Sequence, residues 1–141
     1  MTLRATVGPV LGLLTLMAGA AVAVPALAQD RPVATGTSAD GKVRIDIVSL
    51  KRTEGDTVTL RFQVINGGSE AYGVTTPNIR LIDIVGRRSY SPGVTSPGCS
   101  TPAGQRSACY AIYGAPPAGT RTINIQFYEK MDLVTGVPIG E

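Results

Sequence analysis

The stretch VRIDIVSLKRTEGDTVTLRFQVI, from Val43 to Ile65, decides the fold class. Val43, Ile45 and Ile47 alternate with Arg44 and Asp46; after a polar break, Val58, Leu60, Phe62 and Val64 alternate with Thr57, Thr59, Arg61 and Gln63. Side chains of an extended strand point to opposite faces in turn, so each run reads as a strand with one buried and one wet face. The intervening KRTEGD holds Gly55, suited to the positive φ of a tight turn. Two alternating runs joined by such a turn predict a β-hairpin.

Downstream, the same texture repeats in shorter pieces. Asn66-Gly67-Gly68-Ser69 breaks the second strand, and Ala71 to Val74 is expected as a short edge segment. Ile79 to Val85 is apolar on both faces, which suits a more central strand, although Asp83 would need a partner if buried. That partner is expected to be a turn bond or a structural ion pair, with Arg80, Arg87 and Arg88 as local candidates. Ser89 to Ser91 is strand-like until Pro92 and Gly93, which should end it. VTSPGCSTPAGQRS, residues 94–107, is rich in Gly, Pro, Ser and Thr and reads as the longest irregular segment. Ala108 to Tyr113, Thr122 to Tyr128 and Val134 to Ile139 are further strands, with the turn GAPPAGT between the first two. Short strands with frequent turns in a domain of about 100 residues predict an all-β, immunoglobulin-like antiparallel β-sandwich of about six to eight strands. A small barrel is the structural rival. With no tryptophan in the chain, the Cys and Trp core of antibody domains is absent, so the sandwich belongs to the broader class.

Upstream, residues 1–28 carry an early Arg4, an uncharged apolar run from Val7 to Val24 and then Ala26-Leu27-Ala28, the order of a secretory signal peptide. Cleavage after Ala28 leaves no membrane insertion and delivers the chain to the periplasm or the extracellular medium. QDRPVATGTSADG, residues 29–41, lacks apolar periodicity and reads as a flexible leader, so the domain proper is expected over residues 42–141.

The succession VSLKRTEGDTVTLRFQVINGGSE, IRLIDIVGRRSYSPG and YAIYGAPPAGTRTINIQF, within Lys42 to Ile139, resembles the secreted bacterial immunoglobulin-like domains grouped as telokin-like or immunoprotective extracellular proteins. The resemblance implies a secreted β-sandwich and brings no catalytic residues with it.

The residue inventory narrows the chemistry. Histidine is absent, which removes the usual general base near neutral pH and the commonest metal ligand. Ser49 and Lys51 lie on one strand face but read as an exposed lysine beside an incidental serine, and Glu54 and Asp56 read as a solvated hairpin tip. Thirteen Lys and Arg stand against ten Asp and Glu, with the basic residues scattered along the chain. No stripe for nucleic acid is evident. Cys99 and Cys109 are too far apart for a C-x-x-C redox motif and too few for a metal site, so no metal or other cofactor is expected. In an oxidising compartment they are expected to form a disulfide, stapling a loop over residues 96–107. Tyr110 and Tyr113 would point to opposite faces of their strand, leaving at most one for the core. Gln105, Arg106, Tyr110 and Tyr113 are the candidate partner-binding residues.

Taken together, these features predict an exported, non-enzymatic module that binds a macromolecular partner, such as an envelope protein, or serves as an accessory envelope subunit. The alternative expectation is a periplasmic inhibitor or chaperone that works through the stapled loop.

Overall fold

The computed structural model describes residues 31–128 and 130–141. The predicted signal peptide, residues 1–28, lies outside the described residues. The described chain is all-β, with a single 3-10 turn at Thr76–Asn78 as its one helical element. Its strands are β1 (Ala34–Thr37), β2 (Val43–Thr53), β3 (Thr57–Asn66), β4 (Tyr72–Val74), β5 (Arg80–Asp83), β6 (Arg88–Tyr90), β7 (Pro92–Thr95), β8 (Cys99–Thr101), β9 (Arg106–Gly114), β10 (Thr122–Gln126) and β11 (Val134–Pro138). Three antiparallel sheets result. One has five strands in the order β1-β2-β3-β9-β7, one has four in the order β11-β10-β5-β6, and β4 and β8 form a two-stranded ribbon.

The predicted hairpin is the frame of the larger sheet. Val43 pairs with Asn66 and Thr53 with Thr57, and Gly55 takes the expected positive φ of 76° in the turn. An irregularity between Ile47 and Ser49 adds a residue to β2, so that Ile47 and Leu50 both turn inward despite their odd and even numbers. The inward faces of the two large sheets share one core. Ile45, Ile47, Leu50, Val58, Leu60, Phe62 and Val64 come from the hairpin, and Leu81, Ile123, Ile125, Phe127 and Val137 from the opposing sheet or just beyond its strands. Fully burying an aliphatic or aromatic side chain of this kind is worth about 1.5–3 kcal/mol, so this shared layer is the main source of stability.

The eleven strands exceed the expected six to eight because three segments read as irregular are paired. First, residues 34–37 of the expected leader form β1 against β2, with Ala34 opposite Ile47 and Thr37 opposite Arg44. Apolar periodicity is missing there because the inward position is Gly36. A Cβ on Gly36 would lie 2.8 Å from Val134 Cγ2, so the close approach of the two sheets requires glycine. Ser38 continues the anchoring, its buried hydroxyl accepting the Val43 N–H and donating to Asp40. The folded domain thus begins before Lys42.

Second, Pro92 and Gly93 open β7 instead of ending the chain's extended run. Pro92 pairs with Tyr113 at the margin of the five-stranded sheet, where a residue without an N–H is tolerated. Third, Cys99–Thr101 pairs with β4 inside the segment expected to be irregular. Both pieces owe their pairing to partners distant in sequence, which local composition does not reveal. Conversely, the run read as Ile79 to Val85 ends at Asp83, leaving Ile84 and Val85 in an exposed turn.

Asp83 is buried, at 6% exposure, and its carboxylate accepts the Gly86 N–H at 2.8 Å. Of the two expected partners this is the turn bond; among the described residues Asp83 makes no ion pair with Arg80, Arg87 or Arg88. A Cβ at Gly86 would sit 2.4 Å from Asp83 Oδ2, so the turn also requires the glycine for space.

Candidate functional site

Two features frame the candidate site: the corner braced by the cysteines, and the outer face of the five-stranded sheet beside it. Cys99 of β8 and Cys109 of β9 form the expected disulfide, with their Cα atoms 6.0 Å apart. Both are buried against the core. The bond therefore ties the β4–β8 ribbon to the large sheet. Asn66 does the same by hydrogen bonding: its amide donates to the Thr101 and Glu70 carbonyls at 2.9 and 2.8 Å, and its side-chain oxygen accepts the Gly68 N–H.

This bracing flattens the segment expected to be a projecting loop. Ser96 N donates to the Tyr110 carbonyl, Ser107 Oγ donates to Ser100 O, and β8 lies against β4. What projects is the turn from Pro102 to Gln105, closed by the Gln105 N–H on the Pro102 carbonyl, with Gly104 at φ 70° as a type II turn needs at its third position. Gln105 is exposed in that turn while its carbonyl accepts the Asn66 N–H.

Of the four candidate contact residues, Arg106 and Tyr110 share one face of β9 and are exposed, Tyr110 at 38%. Gln105 stands at the margin. Tyr113 is removed from the set: it is 1% exposed, and its hydroxyl donates to the Ile79 carbonyl at 3.3 Å, tying β9 to the residue that precedes β5. Burial pushes its phenol pKa well above the ordinary value. The opposite orientation of the two tyrosines follows from their odd separation in a regular strand, and the larger core side claims Tyr113.

The outer face around Tyr110 is corrugated and open. Val48, Thr59, Arg61, Gln63, Ala108 and Ile112 join Tyr110 in lining a groove of about 520 Å³, and two further grooves that share Val48 extend it toward Arg31, Lys51, Arg44 and Arg106. Val94 lies beside Ile112 on the neighbouring β7 and is also exposed. Arg44, Lys51, Arg61 and Arg106, scattered in sequence, are thus gathered by strand pairing onto one surface. Asp46 is the acid of that face, and it is already engaged by the Arg44 guanidinium at 3.1 Å and the Thr35 hydroxyl at 3.1 Å. Among the described residues, Lys51, Arg61 and Arg106 have no acidic partner. Arg44 and Arg61 were legible as outward residues of the hairpin; their convergence with Arg106 depends on the β3–β9 register.

A separate concavity at the opposite margin, lined by Ser38, Asp40, Lys42, Glu70, Tyr72 and Lys130 among others, carries both signs of charge. The Ser38 hydroxyl and the Lys42 N–H hold the Asp40 carboxyl below its usual pKa. Among the described residues, no three His, Cys, Asp or Glu side chains come together. No protein-family model matches the chain, and no curated protein or solved structure matches it either.

Proposed function

We propose that the chain is an exported, non-enzymatic module of immunoglobulin-like sandwich type that binds a macromolecular partner of the cell envelope through the outer face of its five-stranded sheet. The observation that carries this reading is the exposed Tyr110, set in an open groove on a paired sheet and flanked by cations with no acidic partner among the described residues. Tyrosine supplies a large contact area at low cost in conformational entropy, and a groove built on paired strands is ordered before any partner arrives. The disulfide supports export, since such bonds persist in oxidising compartments. Two sheets packed on one core support the sandwich assignment and the likeness to telokin-like secreted domains.

The inhibitor or chaperone reading has less support, because the disulfide and the β4–β8 pairing tie residues 96–107 to the body of the domain and leave two short exposed turns, at Pro97–Gly98 and Pro102–Gln105, for insertion. The test is co-sedimentation of the purified chain with envelope preparations, comparing the wild type with Tyr110→Ala. Retention of the wild type and its loss in the variant is the expected result. Equal retention of both, or retention of neither, overturns the reading.

A further inference from the structure

Strand register arranges in a line three outer-face cations that have no acidic partner among the described residues. Ile65 lies opposite Arg106, Tyr110 lies opposite Arg61, and Thr59 lies between Lys51 on one side and Ile112 on the other. Neighbouring strands are about 4.8 Å apart and same-face residues about 7 Å apart along a strand, so Arg106, Arg61 and Lys51 form a diagonal about 20 Å long across three strands. Gln63 stands between Arg106 and Arg61, the Tyr110 ring beside Arg61 and Thr59 beside Lys51, all lining the same grooves as the cations.

We infer that this diagonal is a binding track for an acidic polysaccharide, a polymer whose sugar units carry carboxylates. The inference rests on the reading of the outer face as a partner surface and names its occupant. Each element of the track matches one feature of such a chain. Guanidinium groups take carboxylates in paired, charge-assisted hydrogen bonds. Hydroxyl and amide side chains satisfy sugar hydroxyls. The half-exposed Tyr110 ring, with Ile112 two residues along on the same face, offers an apolar platform to the C–H face of a pyranose. The spacing also discriminates. Three strand-borne cations over about 20 Å, with Arg31 beside them, suit a polymer with about one charge per sugar, whereas duplex DNA presents about one charge per 1.7 Å and calls for a denser basic surface.

Fluorescein-labelled polygalacturonate titrated with the purified full chain tests the track, with neutral dextran and a duplex DNA as comparators. The expected result is binding to polygalacturonate that weakens between about 50 and 200 mM salt, with no measurable binding to dextran. Arg61→Gln and Arg106→Gln should each weaken it about tenfold while leaving the thermal unfolding curve in place. No binding to polygalacturonate, unchanged affinity in both variants, or equal affinity for the DNA would each overturn the inference. Envelope retention that depends on Tyr110, in a chain with no affinity for polygalacturonate, would sink the polysaccharide and leave the broader reading standing; absence of both would sink both.

Discussion

Phe62 and Phe127 meet edge to face across the two large sheets, with ring centroids 5.5 Å apart and planes inclined at 67°. Phe62 comes from the middle of the hairpin strand β3 and Phe127 follows the last paired residue of β10, so this contact joins the two layers at the centre of the core. Phe62→Ala should destabilise the domain by about 3–5 kcal/mol, the range for emptying a buried aromatic site. Phe62→Leu should cost distinctly less, because it keeps most of the volume. Urea unfolding of the three proteins checks the order, and a Phe62→Ala loss below about 1 kcal/mol would show that the layers are held elsewhere.

Tyr113 gives the fold a dependence on alkaline pH. Its buried phenol has a folded pKa above the ordinary value of 10.0, because burial disfavours the phenolate. Below about pH 10 both folded and unfolded chains keep the Tyr113 proton, and this group adds no pH dependence. Above it the unfolded chain sheds the proton first, and stability falls by about 1.4 kcal/mol per pH unit until the folded pKa is reached. Tyr113→Phe should lose about 1 kcal/mol at neutral pH with the Ile79 hydrogen bond, and should show a shallower alkaline decline. Parallel slopes for the two proteins above pH 10 would refute this role.

The Cys99–Cys109 bond closes a short loop, with a sequence separation of 10. By the chain-entropy estimate it contributes about 3 kcal/mol. Replacing both cysteines by serine should lower unfolding stability by that order and should loosen the β4–β8 ribbon first. Faster amide exchange in Tyr72–Val74 and Cys99–Thr101 than in β2 and β3 would register it. Uniform acceleration across the large sheet would argue against a local brace.

At the turn after β5, Gly86→Ala should destabilise by about 1–3 kcal/mol, since the new methyl group displaces the Asp83 carboxylate and leaves it buried without its N–H donor. Asp83→Asn keeps an acceptor oxygen and should cost less. Thermal melts that rank the two substitutions in the reverse order would contradict the proposed division between space and hydrogen bonding.

What the sequence revealed was local. The hairpin from Val43 to Ile65, the inward and outward split of its residues, the turn bond of Asp83 and the disulfide all follow from periodicity, turn chemistry or the compartment of the thiols. What it concealed depends on register between strands far apart in sequence. β1 escaped because Gly36 replaces an apolar side chain where Val134 packs close, and β7 and β8 escaped because Pro92 and the glycines mask pairing that only β9 and β4 supply. The candidate surface is half visible: Arg106 and Tyr110 are on it, the opposite orientation of Tyr110 and Tyr113 follows from alternation but which of them is buried does not, and Arg61 and Lys51 gain their meaning only once β3 lies between β2 and β9.

Sheet margins elsewhere in proteins are templates for unwanted strand addition, since their backbone groups lack partners. Here the margins are spent on one another. β6 and β7 border different sheets yet are separated by the single residue Ser91, so the chain crosses from one layer to the other and wraps that flank. On the opposite flank β1 and β11 are drawn together by the Ser38–Met131 bridge and by the Asp132 N–H on the Thr37 carbonyl. Flanks closed in this way leave less free backbone for a growing fibril to pair with, so the fold itself limits association at high local concentration.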